Sequence, residues 1–107
     1  MNSRREFRIR EELAHCAAEF FARTANRDTL ITITFAQTSS NLRRVTIYFT
    51  VYPEEREEAA LAFVKRQRSD FREYLKKAAK LRRIPLIDFK IDEGDKNRRR
   101  IDELSKE

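Results

Sequence analysis

One histidine and one cysteine are all this 107-residue chain offers for imidazole or thiol chemistry, and they are neighbours, His15 and Cys16. Adjacent residues of a helix point about 100° apart, so the two are poorly placed to act as base and nucleophile. The single glycine, Gly94, excludes phosphate-cradling loops of the P-loop or dinucleotide type, which need several glycines for close backbone approach. Zinc requires three or four N, S or O ligands meeting at one point, and no such spacing appears. The carboxylates mostly stand beside Arg or Lys, as solvated ion pairs do. Catalysis, a cofactor, a metal site and a small-molecule substrate are therefore not expected. What remains is the chemistry of clustered cations.

That cluster lies in PEEREEAALAFVKRQRSDFREYLKKAAKLRRIP, Pro53 to Pro85. From Lys65 to Arg83, nine Lys or Arg are offset only by Asp70 and Glu73, a net +7 in a chain whose total is +6. The segment opens on Glu54, Glu55, Glu57 and Glu58 and closes basic, which complements a helix dipole by about 0.3–1 kcal/mol per charge. At helical spacing, Lys65, Arg68, Arg72, Lys76, Lys80 and Arg83 share a sector of roughly 120°. Ala60, Val64, Phe71, Tyr74, Leu75, Ala78 and Leu81 occupy another, so the segment has one side to bury and one to show. The apolar stripe lapses at Gln67 and Arg68, just before Ser69, whose hydroxyl suits a new N-cap. Two successive helices are expected, over about 54–66 and 70–82. A cationic sector of this kind points to a polyanionic partner, nucleic acid ahead of an anionic membrane.

The rest of the chain has to position these helices. Ser3-Arg4-Arg5-Glu6 fits a capping box, and Ile9, Leu13, Cys16, Ala17 and Phe20 recur at helical spacing, predicting a first helix over about 4–22. Cys16 lies on that apolar side and reads as a small buried hydrophobe rather than a reactive thiol. His15 points off the stripe, to solvent. Asn26-Arg27-Asp28 signals a turn. In LITITF, Ile31, Ile33 and Phe35 alternate with threonines. In VTIYFTVY, Val45, Ile47, Phe49 and Val51 alternate with Thr and Tyr, and the intervening QTSSN suggests a hairpin. After Pro85, Ile87, Phe89 and Ile91 alternate with Asp88, Lys90 and Asp92, a third strand. The order α–β–β–α–α–β, with one apolar side per strand, predicts an α+β two-layer sandwich with three helices on one face of a three-stranded sheet.

Residues 1–94 read as a single domain, and 95–107 as a basic, partly ordered tail carrying Arg98, Arg99 and Arg100. Tyr48 and Tyr52 project from the expected solvent face, where RNA-binding sheets stack bases. Asp88 and Asp92 would share that face and repel phosphates, which favours ordinary half-exposed strand residues. No apolar run approaches the ~20 residues of a membrane span. The first dozen residues have no apolar signal core, and Glu6, Glu11 and Glu12 argue against a transit peptide. One cysteine suits a reducing compartment, and a cytoplasmic protein is expected.

The closing pattern LRRIPLIDFKIDEGDKNRRRIDEL, the strand VTIYFTVYPEEREEA running into an acidic helix start, and the element order together resemble the ribosome-binding factor A family, over nearly the whole chain. The most specific parts are Leu81-Arg82-Arg83-Ile84-Pro85 before a strand and Arg100-Ile101-Asp102-Glu103-Leu104 after it. The resemblance implies a KH-like fold of the bacterial type without the GxxG loop, and a non-catalytic factor. Such a factor binds the small ribosomal subunit and its rRNA near the neck late in assembly, and supports maturation of the rRNA 5′ end and adaptation to cold. Family members usually carry an Ala-x-Gly kink between the two later helices; aligned back from Pro85, those positions are Gln67, Arg68 and Ser69 here.

The expected mechanism is a monomer whose Lys65, Arg68, Arg72, Lys76, Lys80 and Arg83 contact rRNA phosphates, with Lys77, Arg82, Arg98, Arg99 and Arg100 as auxiliaries. Phosphate contacts give affinity and register without a base code. Two other readings fit the same residues. A chaperone binding single-stranded nucleic acid non-specifically would require Tyr48 and Tyr52. A protein-interaction module would set its basic helix against an acidic partner.

Overall fold

The computed structural model describes residues 3–24 and 28–105. Helix α1 (Ser3–Thr24) is followed by strands β1 (Leu30–Thr38) and β2 (Arg44–Tyr52), a single 3-10 turn (Glu54–Arg56), helices α2 (Glu57–Arg66) and α3 (Arg68–Ala78), strand β3 (Leu86–Ile91) and helix α4 (Glu93–Ser105). The sheet order is β1-β2-β3, with β1 antiparallel and β3 parallel to β2. This is the α+β, KH-like arrangement. The turn at Asn26 and the side-chain cap proposed for Ser3 lie outside the described residues and side chains.

One face of the sheet is buried because β2 alternates as its sequence demands. Val45, Ile47, Phe49 and Val51 are all at most 1% exposed. Ile87 and Phe89 extend that surface on β3, and Leu13, Cys16, Ala17 and Phe21 of α1, Ala60 and Val64 of α2, and Phe71 and Leu75 of α3 cover it. Aromatic rings join three of these elements. Phe21 meets Phe89 edge-on, with centroids 5.5 Å apart, and Phe71 lies 5.9 Å from both. Each such ring stabilises the fold by roughly 1.5–3 kcal/mol through burial. They hold α1 and α3 to the sheet.

The first difference from expectation is in β1. Register shifts between Ile33 and Phe35, where Thr34 is an extra residue. A bulge reverses the parity of everything after it. Ala36 therefore turns inward opposite Ile47, 7% exposed, and Phe35 turns outward opposite Tyr48, 45% exposed. The Thr34 hydroxyl secures the bulge beside the Asp92 carboxylate (Oγ1 to Oδ2, 2.6 Å) and the Tyr48 carbonyl (3.2 Å).

Asp92 is accordingly not a solvent-facing strand residue. It is 8% exposed. Its backbone N–H donates to the Phe49 carbonyl, and its Oδ1 accepts the Asp95 N–H at 3.0 Å. That is N-cap geometry, and it starts α4 where the sequence showed no helix. Lys96 of α4 then reaches Glu57 of α2, Nζ to Oε1 3.0 Å, with both side chains under 20% exposed.

The break between the later helices falls at Gln67 (φ −82°, ψ 0°), with no side-chain cap at the start of α3. The Gln67 N–H is shared between the Phe63 and Val64 carbonyls, both at 3.1 Å. The turn is thus made by backbone tightening at Gln67, two residues before the Ser69 expected as N-cap, which lies inside α3. Helix α3 also ends early. Ala79 is extended (φ −91°, ψ 143°), so Lys80 and Arg82 lie beyond the helix expected to carry them, and Arg83 follows them outside it.

Candidate nucleic-acid interface

Because α3 stops at Ala78, the single cationic sector expected over 65–83 divides. Lys80, Arg82 and Arg83 turn into an open groove of about 1470 Å³, between the first half of α1 and the β1–β2 loop. Arg5 and Arg8 of α1 and Arg43 of the loop line the same groove, so three separate parts of the chain bring six cations together. Glu11 and Glu12 also reach it. Glu12 accepts a weak Sγ–H contact from Cys16 at 3.8 Å. Phe7, 55% exposed, lies along the groove with Ile9, Leu81 and Pro85. A basic channel lined in part by apolar side chains suits a charged backbone carrying flat bases or sugars.

The loop holds Arg43 in place by its own hydrogen bonds. Asn41 Oδ1 accepts from the Arg43 N–H (3.0 Å) and from the Ser39 hydroxyl (2.8 Å), whose oxygen in turn accepts the Arg44 N–H (3.1 Å). Leu42 closes the turn at φ 60°, a left-handed conformation that costs a non-glycine residue about 1–2 kcal/mol. The QTSSN stretch thus gives a braced hairpin end rather than a slack loop.

The other expected contacts are placed elsewhere. Arg72 is half-buried, and its guanidinium donates to the carbonyls of Pro85 (2.6 Å) and Ile84 (3.4 Å). It therefore anchors the lead-in to β3. Arg68 pairs with Asp88 of β3 at 3.1 Å. Both arginines line a smaller cleft of about 410 Å³ with Arg44 and Lys90. Lys76 pairs with Glu73 at 2.9 Å, and that hydrogen bond holds the Glu73 carboxyl below its usual range. Lys65 and Lys77 are exposed and line neither cavity. Arg98 pairs with Asp95 on α4; Arg99 and Arg100 share that helix, their side chains outside the described set.

Arg5, Arg8, Arg43, Arg44 and Lys90 were not singled out by sequence. Their signal is faint, because acids beside Arg5 and Arg8 cancel the local charge; Glu6, for example, pairs with Arg10 at 3.9 Å. Spacing could have found part of the set. Arg5 and Arg8 are one helical turn apart, and Arg43-Arg44 follows a turn-forming Asn. Among the described residues no group of three or more His, Cys, Asp or Glu could hold a metal ion, and no helix is long and apolar enough to cross a membrane.

Comparison with known proteins bears on the whole chain. The family model for ribosome-binding factor A matches residues 2–105. The curated ribosome-binding factor A of Thermobifida fusca (strain YX) is 30% identical over 107 residues, covering 97% of this chain and 71% of the relative. The crystal structure of ribosome-binding factor A from Thermus thermophilus superposes with a TM-score of 0.70 at 21% identity, covering 80% of this chain and 94% of that one. A solution NMR structure from Thermotoga maritima, described as a candidate ribosome binding factor A, gives 0.65 at 23% identity, with 80% and 85% covered. These structural matches carry the fold; the family model and the curated relative carry the kinship. The chain belongs to the ribosome-binding factor A family.

Proposed function

We propose that this chain is a non-catalytic ribosome-assembly factor of the cytoplasm. It binds the small ribosomal subunit and its rRNA late in maturation, and supports processing of the rRNA 5′ end. The observation that carries this reading is the convergence of Arg5, Arg8, Arg43, Lys80, Arg82 and Arg83 on one groove, in a member of a family named for ribosome binding. The groove takes structured rRNA through its phosphates, and selectivity comes from RNA shape and neighbouring ribosomal surfaces. The protein acts as a monomer.

The test is sedimentation of the purified protein with small subunits, large subunits and immature small-subunit precursors at low and moderate salt. Selective association with small subunits or their precursors, persisting at moderate salt, is the expected result. With about four to six phosphates neutralised, log K falls against log salt with a slope of roughly −3 to −5. Equal binding to every particle, lost with salt, would leave only a generic affinity for polyanions and defeat the proposal. Binding to an acidic protein but to no RNA would replace it with a protein-interaction module.

A further inference from the structure

The face of the sheet turned away from α1, α2 and α3 carries a row of side chains running across all three strands. Register places Phe35 opposite Tyr48 and Tyr48 beside Lys90. The two rings stack face to face, centroids 4.4 Å apart and planes 6° from parallel. Phe35 is 45% exposed. The Tyr48 hydroxyl is tethered to Gln37 Oε1 at 3.3 Å, which limits rotation of the ring out of the stack. The pair exists only because the bulge at Thr34 turns Phe35 outward.

The charges around the pair are lopsided. Lys90 and Arg44 point from the same face into the adjoining 410 Å³ cleft. Neither side chain has an ion-pair partner among the described residues. Of the nearby carboxylates, Asp88 is paired with a cation and Asp92 is buried. Asp88 accepts from Arg68 and from the Phe89 N–H, and Asp92 from Thr34 and the Asp95 N–H. An exposed π-stack flanked by unpartnered cations is complementary to a ligand with both flat faces and negative charge. Unpaired nucleotides have that character, whereas an acidic peptide would leave the rings without a stacking partner.

We infer that this outer face is a second RNA-contacting surface, taking unpaired bases of single-stranded RNA. One base extends the Phe35–Tyr48 stack, and its phosphate meets Lys90 and Arg44. This rests on the RNA-binding reading of the groove, but the two surfaces are separate and separable. The groove meets phosphates of folded rRNA; the sheet face holds an unpaired segment beside it.

The test compares the unaltered protein with a Phe35→Leu/Tyr48→Leu variant, a Lys90→Gln variant and an Arg43→Glu/Arg83→Glu groove variant. Each is first checked for an unchanged circular dichroism spectrum and a cooperative melt. Affinity for short unstructured oligoribonucleotides is read by fluorescence anisotropy across a salt series, and subunit binding by sedimentation. The ring variant is expected to lose about tenfold or more in single-strand affinity at an unchanged salt slope, since stacking releases no counterions. Lys90→Gln is expected to lower the slope by about one. Unchanged single-strand affinity in the ring variant, with the groove variant impaired on subunits, overturns this inference and leaves the groove standing. Failure of the unaltered protein to bind either RNA or subunits overturns both. A ring variant that loses subunits while keeping its full affinity for naked single strands would mark a protein-contacting face, and overturns it as well.

Discussion

The Arg72 guanidinium donates to the carbonyl oxygen of Pro85 at 2.6 Å, tying α3 to the segment that feeds β3. Its second nitrogen lies 3.4 Å from the Ile84 carbonyl. An arginine that satisfies two backbone acceptors in this way is committed to the fold before any partner arrives.

Arg72→Ala is therefore expected to cost about 1.5–3 kcal/mol of stability, the range for hydrogen bonds from a charged donor. Arg72→Lys should recover only part of it, because a point charge cannot bridge two carbonyls as a planar fork does. Urea denaturation of the three proteins checks this. Equal stability for all of them would show that the contact contributes nothing.

Charge reversal at Arg43 and Arg83 tests the groove. Both side chains are exposed. The Arg43→Glu/Arg83→Glu protein should melt as the unaltered one does, while its affinity for small-subunit rRNA falls more than about tenfold and its salt slope shrinks by about two. Binding isotherms at several salt concentrations give both quantities. Full affinity in this variant would remove the groove from the interface.

Asp92 links α4 to the sheet. Burial works to raise its pKa, but the hydrogen bonds from Thr34 and from the Asp95 N–H outweigh it and leave the carboxyl below its ordinary value. A depressed carboxylate pKa stabilises the folded state at pH above the unfolded value, about 3.9 for Asp, and that contribution disappears as pH falls through the folded value. Asp92→Ala should thus cost about 0.5–2 kcal/mol at neutral pH. The deficit should narrow below about pH 4 as the native carboxyl protonates. Denaturation at a series of pH values, with amide exchange along α4, measures both; a pH-independent deficit would assign the loss to packing alone.

Cys16 should be chemically quiet. Burial, and then the neighbouring Glu12 carboxylate, push its thiol up to about 11, and only 3% of the residue is exposed. Since the thiolate is the reactive form, iodoacetamide should label the native protein slowly at about pH 8 and the urea-unfolded protein quickly. Mass spectrometry of timed samples decides it. Fast native labelling would show that the first helix opens readily.

What the sequence by itself determined was whatever depends on short-range periodicity. The apolar sides of α1, α2, α3, β2 and β3, the order of helices and strands from α1 to β3 and the break near Gln67 follow from residues spaced by one strand or helix repeat, since burial must take every member of such a set together. The net charge and its crowding into 65–83 were equally plain. Tertiary structure decided the parity of β1 and the shape of the cationic site. Phe35 continues the alternation of Ile31 and Ile33, and only pairing to β2, with Thr34 held by Asp92 from 58 residues away, reverses it. Asp92 reads as a strand residue until that same contact and the Asp95 N–H make it a helix cap. The cationic site followed the same logic. Ala79 leaves the helix, Arg72 is drawn to the backbone before β3, and Arg5, Arg8 and Arg43 arrive from distant parts of the chain. A stripe drawn on one ideal helix cannot anticipate any of these, because each depends on a long-range partner that the local pattern does not contain.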